Sequence, residues 1–111
     1  VSDLTADDYA RLATEIGMVA SRPVDGAYTD PTQPKGWHVF DLPGYLAEPA
    51  QMVRILALPM RGDLWEIEPD GARWAVSRVA WDDYEPSITD SGFAQTIGEA
   101  VRDCAARALR P

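Results

Sequence analysis

An α+β fold, an antiparallel β-sheet of three to five strands with a helix at each end of the chain, is predicted by three observations. A turn signal sits between two alternating apolar runs at residues 64–79, and a capped amphipathic helix pattern stands at each end. Short connections favour a meander, with both helices packed on one face of the sheet.

The hairpin anchors the reading. In Leu64-Trp65-Glu66-Ile67-Glu68-Pro69-Asp70-Gly71-Ala72-Arg73-Trp74-Ala75-Val76-Ser77-Arg78-Val79, Pro-Asp-Gly is a turn with a mechanism. Pro69 pre-sets φ, Asp70 can bond its own backbone, and Gly71 accepts positive φ. Alternation selects the register, because a slip of one residue moves every side chain to the other face. Pairing Glu68 with Arg73 sets Ile67 against Trp74 and Trp65 against Val76. Glu66, Glu68, Arg73 and Ser77 then share the opposite face, with Glu68 and Arg73 as a cross-strand ion pair.

Thr5 caps the first helix, and Asp8 takes the place of the usual Glu in a capping box. Leu4 and Tyr9 form a hydrophobic staple, and Tyr9, Leu12, Ala13, Ile16, Val19 and Ala20 supply the stripe. Gly17 weakens this helix, and Arg22-Pro23 ends it. Residues 21–36, punctuated by Pro and Gly, read as a long loop. Residues 37–42 read as a short strand, and 45–50 as irregular or one helical turn. Residues 52–58, apolar on both faces at period two, read as a central strand that would pair with Trp65 and Ile67. Residues 82–86 read as an acidic loop, followed by a last strand over 87–94 with a bulge or bend at Gly92. Thr96 and Glu99 form a second capping box. The last helix carries Ile97, Ala100, Val101, Cys104, Ala105, Ala108 and Leu109 on one stripe.

Composition narrows the functional classes. A chain of 111 residues is expected to form a single domain over 1–111. Its net charge of −8, from 18 acidic and 10 basic residues, argues against nucleic-acid and anionic-membrane binding, which need a basic footprint. The nine Arg against one Lys, with no Asn, fit a GC-rich bacterial or phage genome. No apolar run approaches the ~20 residues that span a bilayer, and no signal-peptide pattern opens the chain, so a cytoplasmic location is expected.

Catalytic and cofactor signatures are sparse. The one histidine, His38, stands in the 37–42 strand without an evident nucleophile beside it. The one cysteine, Cys104, lies on the buried stripe of the last helix and reads as a small core residue. Asp82, Asp83, Glu85 and Asp90 lack the spacing and the central Gly of an EF-hand loop. Pro69-Asp70 opens a nuclease-like signature, but no Glu-x-Lys or Asp-x-Lys follows. No phosphate-binding glycine loop occurs, and no cofactor is expected. Ser91-Gly92-Phe93-Ala94-Gln95-Thr96-Ile97-Gly98-Glu99-Ala100 is similar to the strand-to-helix junction of HicB-type antitoxin domains. With the hairpin the likeness spans less than half of the chain, and its motif consists mostly of capping residues. The αβββα order is that of double-stranded RNA-binding domains, whose basic helix start is missing here.

The acidic residues that remain define the candidate site. Glu66 and Glu68 project from one sheet face and Asp70 sits at the turn. Asp82, Asp83 and Glu85 lie on the next loop around Tyr84. Carboxylates with an aromatic suit an interface with a basic protein surface. The expected function is therefore that of a small acidic, non-enzymatic binding or regulatory module. Two alternatives are a DNA-mimic inhibitor, with carboxylates replacing phosphates in a basic groove, and a metal-dependent enzyme built on the 82–90 carboxylates.

Overall fold

The computed structural model describes residues 3–111. The elements in order are α1 (Ala6–Glu15), β1 (Val19–Ala20), β2 (Tyr28–Thr29), α2 (Leu42–Leu46), α3 (Pro49–Leu56), β3 (Leu64–Asp70), β4 (Arg73–Asp82), β5 (Glu85–Ala94) and α4 (Ile97–Ala108). Strands β3, β4 and β5 form an antiparallel meander, and β1 and β2 form a separate two-stranded ribbon. The fold is α+β.

Helix α4 is the middle layer. It packs on β4 and β5 on one side and on α1, α2 and α3 on the other. Ala100, Val101, Cys104, Ala105, Ala106 and Ala108 are all buried, so α4 is apolar on more than one face, as an enclosed helix must be. Its cap is as expected: Thr96 Oγ1 accepts from Glu99 N at 3.2 Å. Small side chains let both neighbours come close. On the sheet side, a Cβ placed on Gly92 would lie 2.6 Å from Cys104 N and would overlap Ala100 O. Gly92 is thus a contact glycine and not a bulge. The bulge is at Thr89, which stands unpaired between the Arg78–Asp90 and Val79–Ile88 pairs and donates its hydroxyl to Arg78 O at 3.3 Å.

Helix α1 lies on α4 and α2, away from the sheet face on which both terminal helices were expected. Its start follows the sequence reading, with Asp8 Oδ2 accepting from Thr5 N at 2.9 Å. Its end does not, because the helix stops at Glu15. Gly17 has φ 97°, Gly17 N bonds Thr14 O, and Met18 N bonds Ala13 O at 2.9 Å. That is a Schellman closure, in which glycine is the residue just past the helix and not a weak point inside it. Val19 and Ala20 are thereby freed to pair with Thr29 and Tyr28, inside what reads as a structureless loop. Ion pairs tie the two ends of the described chain together: Arg110 contacts Asp8 at 2.8 Å and Asp3 at 3.3 Å, and Arg107 contacts Asp3 at 2.7 Å. The Arg107 guanidinium holds Asp3 at about 2, below the usual carboxylate range.

The 37–42 strand reduces to one bridge between Val39 and Tyr28. Residues 42–46 are helical, with Asp41 accepting from Gly44 N at 3.2 Å. The largest departure is 52–58, which is not a strand. Pro49 opens α3 at the position where its missing N–H costs nothing, and Gln51 and Ile55, one helical turn apart, are both buried. Met52 and Leu56 pack beside them. A short apolar run fits period two and period 3.6 alike, and the proline before it decides the matter.

The β3–β4 register pairs Asp70 with Arg73 and Ile67 with Val76, two residues from the pairing expected. Gly71 and Ala72 form the turn, with φ 62° at Gly71, the arrangement of a II′ hairpin. A shift of two preserves the faces, so Trp65, Ile67, Trp74 and Val76 still share one side. Val76 is buried, and Trp65 and Trp74 pack against the core. The expected Glu68–Arg73 ion pair is replaced by Asp70–Arg73 at 3.0 Å, and Glu68 stands opposite Ala75.

Candidate functional site

The acidic loop at 82–86 is in fact a tight two-residue turn. Asp82 pairs with Glu85, and Asp83 and Tyr84 form the tip, Asp83 with φ 53°. An aspartate accepts the left-handed region more readily than most residues. Strand β3 begins opposite Val79, so beyond that pair β4 and β5 continue as a two-stranded ribbon. Trp81 N is held by Asp63 Oδ2 at 2.9 Å at the ribbon's base.

All seven predicted site residues are exposed, but they form two groups and not one strip. Asp70 is at one end of β4 and Asp82, Asp83, Tyr84 and Glu85 at the other. Ten residues of strand at ~3.3 Å each separate the ends by roughly 30 Å. Glu66 and Glu68 lie opposite Ser77 and Ala75, between those ends. Even Glu66 stands about 17 Å from the ribbon end by strand rise, beyond the ~8–10 Å Debye length of physiological salt. The expected addition of their fields therefore fails. Asp70 leaves the set as well, because Arg73 neutralises it.

The ribbon group does form a local site. From residue 79 to residue 101 the chain has no Lys or Arg. Among the described residues, Asp82, Asp83 and Glu85 make no ion pair, whereas Asp3, Asp8, Asp30, Asp70, Asp90 and Asp103 each hold an arginine. Tyr84 at the tip is 93 % exposed and Trp81 56 %. Asp90 does not join this group. Arg61 grips it at 3.0 and 3.1 Å while also bonding Arg107 O at the end of α4. Among the described residues, no group of three His, Cys, Asp or Glu has the geometry to hold a metal ion.

Two further clusters were not foreseen. Asp30 is a buried carboxylate. It receives Tyr45 Oη at 2.6 Å, Arg54 Nη1 at 2.5 Å, and Thr32 N and Oγ1 at 3.0 and 2.9 Å. Arg54 also donates to Gln51 Oε1 at 2.8 Å and to Ile16 O. Burial pushes the Asp30 carboxyl up, but the Arg54, Tyr45 and Thr32 bonds outweigh it and hold it well below the usual range. This network fastens the 30–33 turn to α1, α2 and α3, and Asp30 and Gln33 also line an open cleft of about 340 Å³ beside Pro34 and Trp37. The one legible trace is Asp30-Pro31-Thr32, an Asx-turn pattern. The second cluster is Arg78, buried on the core face. It donates to Arg61 O and Gly62 O at 3.1 and 2.8 Å and lies over the Trp65 ring at 4.9 Å.

His38 stacks on Phe40, with ring centroids 6.5 Å apart. Its Nε2 is enclosed and bonds no hydroxyl or thiol among the described residues. Cys104 is fully buried, and burial pushes its thiol up to about 12. It should therefore resist a small alkylating reagent in the native protein and react once denatured, with mass spectrometry counting adducts. Rapid native labelling would mean that α4 opens readily.

No helix of the described residues is long and apolar enough to cross a membrane. No protein-family model, curated protein or solved structure matches the chain. The functional reading therefore rests on the chain's own geometry.

Proposed function

We propose that this chain is a non-enzymatic protein-binding module that contacts a basic partner through the β4–β5 ribbon. The supporting observation is the exposure of Trp81 and Tyr84 beside Asp82, Asp83 and Glu85, which carry three unneutralised charges. Solvent-exposed aromatics at the end of a two-stranded projection, Tyr84 above all, suit insertion into a partner's pocket. The carboxylates around them supply attraction at a distance. A DNA mimic needs a continuous carboxylate track, and the two separated acidic groups favour it less. A metal-dependent activity on the 82–90 carboxylates is disfavoured by the engagement of Asp90 with Arg61.

Affinity capture with the intact chain, followed by binding kinetics on the captured protein at two ionic strengths, tests this reading. Replacing Asp82, Asp83 and Glu85 together by Ser should slow association and flatten its salt dependence. Tyr84→Ala should instead raise the dissociation rate, by about tenfold or more if the ring fills a pocket. Unchanged rates in both variants would move the interface off the ribbon.

A further inference from the structure

The helices cover one face of the sheet and leave the other bare. Residues opposite one another across antiparallel strands share a face. The rows of the bare face are therefore Glu68–Ala75–Phe93, Glu66–Ser77–Ser91, Leu64–Val79–Ile88 and, on the ribbon, Trp81–Pro86. The last two rows form an apolar band that crosses all three strands, about 10 Å by strand spacing. Leu64 is 49 % exposed, Ile88 65 % and Trp81 56 %, around a central Val79 that is itself buried. Single apolar side chains on a surface are ordinary, but adjacent rows of them mark an interaction face.

Two occupants are opposed by features of the sheet. A strand added at an edge meets Pro86 and the Thr89 bulge on β5, and Pro69 with the charged Glu66 and Glu68 on β3. A second copy laid face to face would bring the Glu66 and Glu68 rows of two chains of net charge −8 together. These rows hold no cation among the described residues, and Arg73, in the next row of the same face, is already held by Asp70 and seated over the Phe93 ring at 4.3 Å. Like charges so placed oppose association.

Charge complementarity selects a different occupant. Glu66 and Glu68 border the apolar band on one side; on the other stands Asp83 at the ribbon tip, while the Asp82–Glu85 pair projects from the opposite face. The two borders lie about 17–20 Å apart along β4, by strand rise from Ser77 to the tip. That is too far for their fields to add, but it leaves room for a helix ~10–12 Å across, with Glu66 and Glu68 beside one flank and the ribbon tip beside the other. We infer that the bare face binds a lysine- or arginine-rich amphipathic helix of a partner protein. Its apolar stripe sits on Leu64, Ile88 and Trp81, and its basic residues meet Glu66 and Glu68 along one flank and Asp83 at the ribbon tip. This rests on the protein-binding reading above and specifies the chemistry of the partner.

The test uses three designed peptides of equal length: a helix with a leucine stripe and lysine flanks, a scrambled sequence of the same composition, and a glutamate version of the first. Each is titrated into the isotope-labelled full chain, with amide and indole resonances followed by NMR. The patterned basic peptide should bind at least about tenfold more tightly than the scrambled one. Its shifts should centre on residues 64–66, 79–82 and 86–88 and on the Trp81 indole. Ile88→Ser and Trp81→Ala, both at exposed positions, should each weaken it by about tenfold or more, with the remaining spectrum unchanged. Equal affinity for the scrambled or glutamate peptide, or shifts on the helical side, would overturn the inference. So would a dimer, seen in sedimentation, that Ile88→Ser disperses, because a second copy would then own the face. If the peptide fails while the triple replacement at Asp82, Asp83 and Glu85 still slows association with the captured protein, the binding module stands and its partner is not a basic helix. If both fail, both readings fall.

Discussion

Arg54→Met should lower the unfolding free energy by about 3–5 kcal/mol at neutral pH, as removing one partner of a buried ion pair does. The substitution keeps the aliphatic bulk against α3 but strands the buried Asp30 carboxylate, which loses the one cation paired with it among the described residues. It also removes the donor to Ile16 O at the end of α1. The pH dependence gives the prediction a sign. In the parent protein the Asp30 carboxyl is held below its ordinary value, so its contribution is present above the unfolded carboxylate range of about 4 and is lost as pH falls through the lower, folded value. In the variant burial acts without Arg54 and raises the folded value. Protonation then relieves the variant before it harms the parent. The stability gap measured by denaturant melts should narrow as pH drops from 7 toward 4. A gap independent of pH would show that Asp30 is stabilised mainly by Tyr45 and Thr32.

Gly92→Ala should be the more damaging of two single-methyl additions, costing about 1–3 kcal/mol or more. The added carbon meets backbone atoms of α4, Ala100 O and Cys104 N, which cannot rotate away as a side chain can. Either α4 lifts from the sheet or β5 bends. Gly71→Ala is the control. Its Cβ meets open space, so its cost is the backbone strain of an alanine held at φ 62° in the turn, about 1–2 kcal/mol. Chemical denaturation of both variants ranks them. Equal losses would mean that the sheet–helix contact yields more easily than its geometry implies.

Much of the fold was legible wherever a local signal agreed with the tertiary outcome. Thr5 with Asp8 and Thr96 with Glu99 mark helix starts by bonds made within one turn. The strand pattern at 64–79 exposes the correct faces, because a two-residue register error leaves side-chain alternation intact. Signals that need context were misread. Gly17 is the same glycine whether it weakens a helix or closes one, and only the Met18–Ala13 bond decides. The apolar run after Pro49 matches two periods, and the buried polar Gln51 becomes intelligible only beside Arg54. At the candidate site, Asp82, Asp83, Tyr84 and Glu85 stay together because they adjoin in sequence. Glu66, Glu68 and Asp70 separate from them because distance along β4 is a property of pairing. The bare face could not be read at all, since Leu64, Ile88 and Trp81 come from three strands.

The enclosure of α4 has a consequence for synthesis. The sheet and the α1–α3 layer touch through the Trp65 Nε1 bond to Leu56 O, but each closes mainly on residues 97–108, which are synthesised after both. Until then both present apolar surface with nothing to cover it, Val76 on one side and Leu12, Leu46 and Ile55 on the other. Chains emerge at about 5–20 residues per second, so this exposure lasts for seconds. Folding is thereby deferred until α4 has emerged, and a ribosome stalled shortly before α4 would hold a nascent chain that chaperones, rather than its own core, must protect.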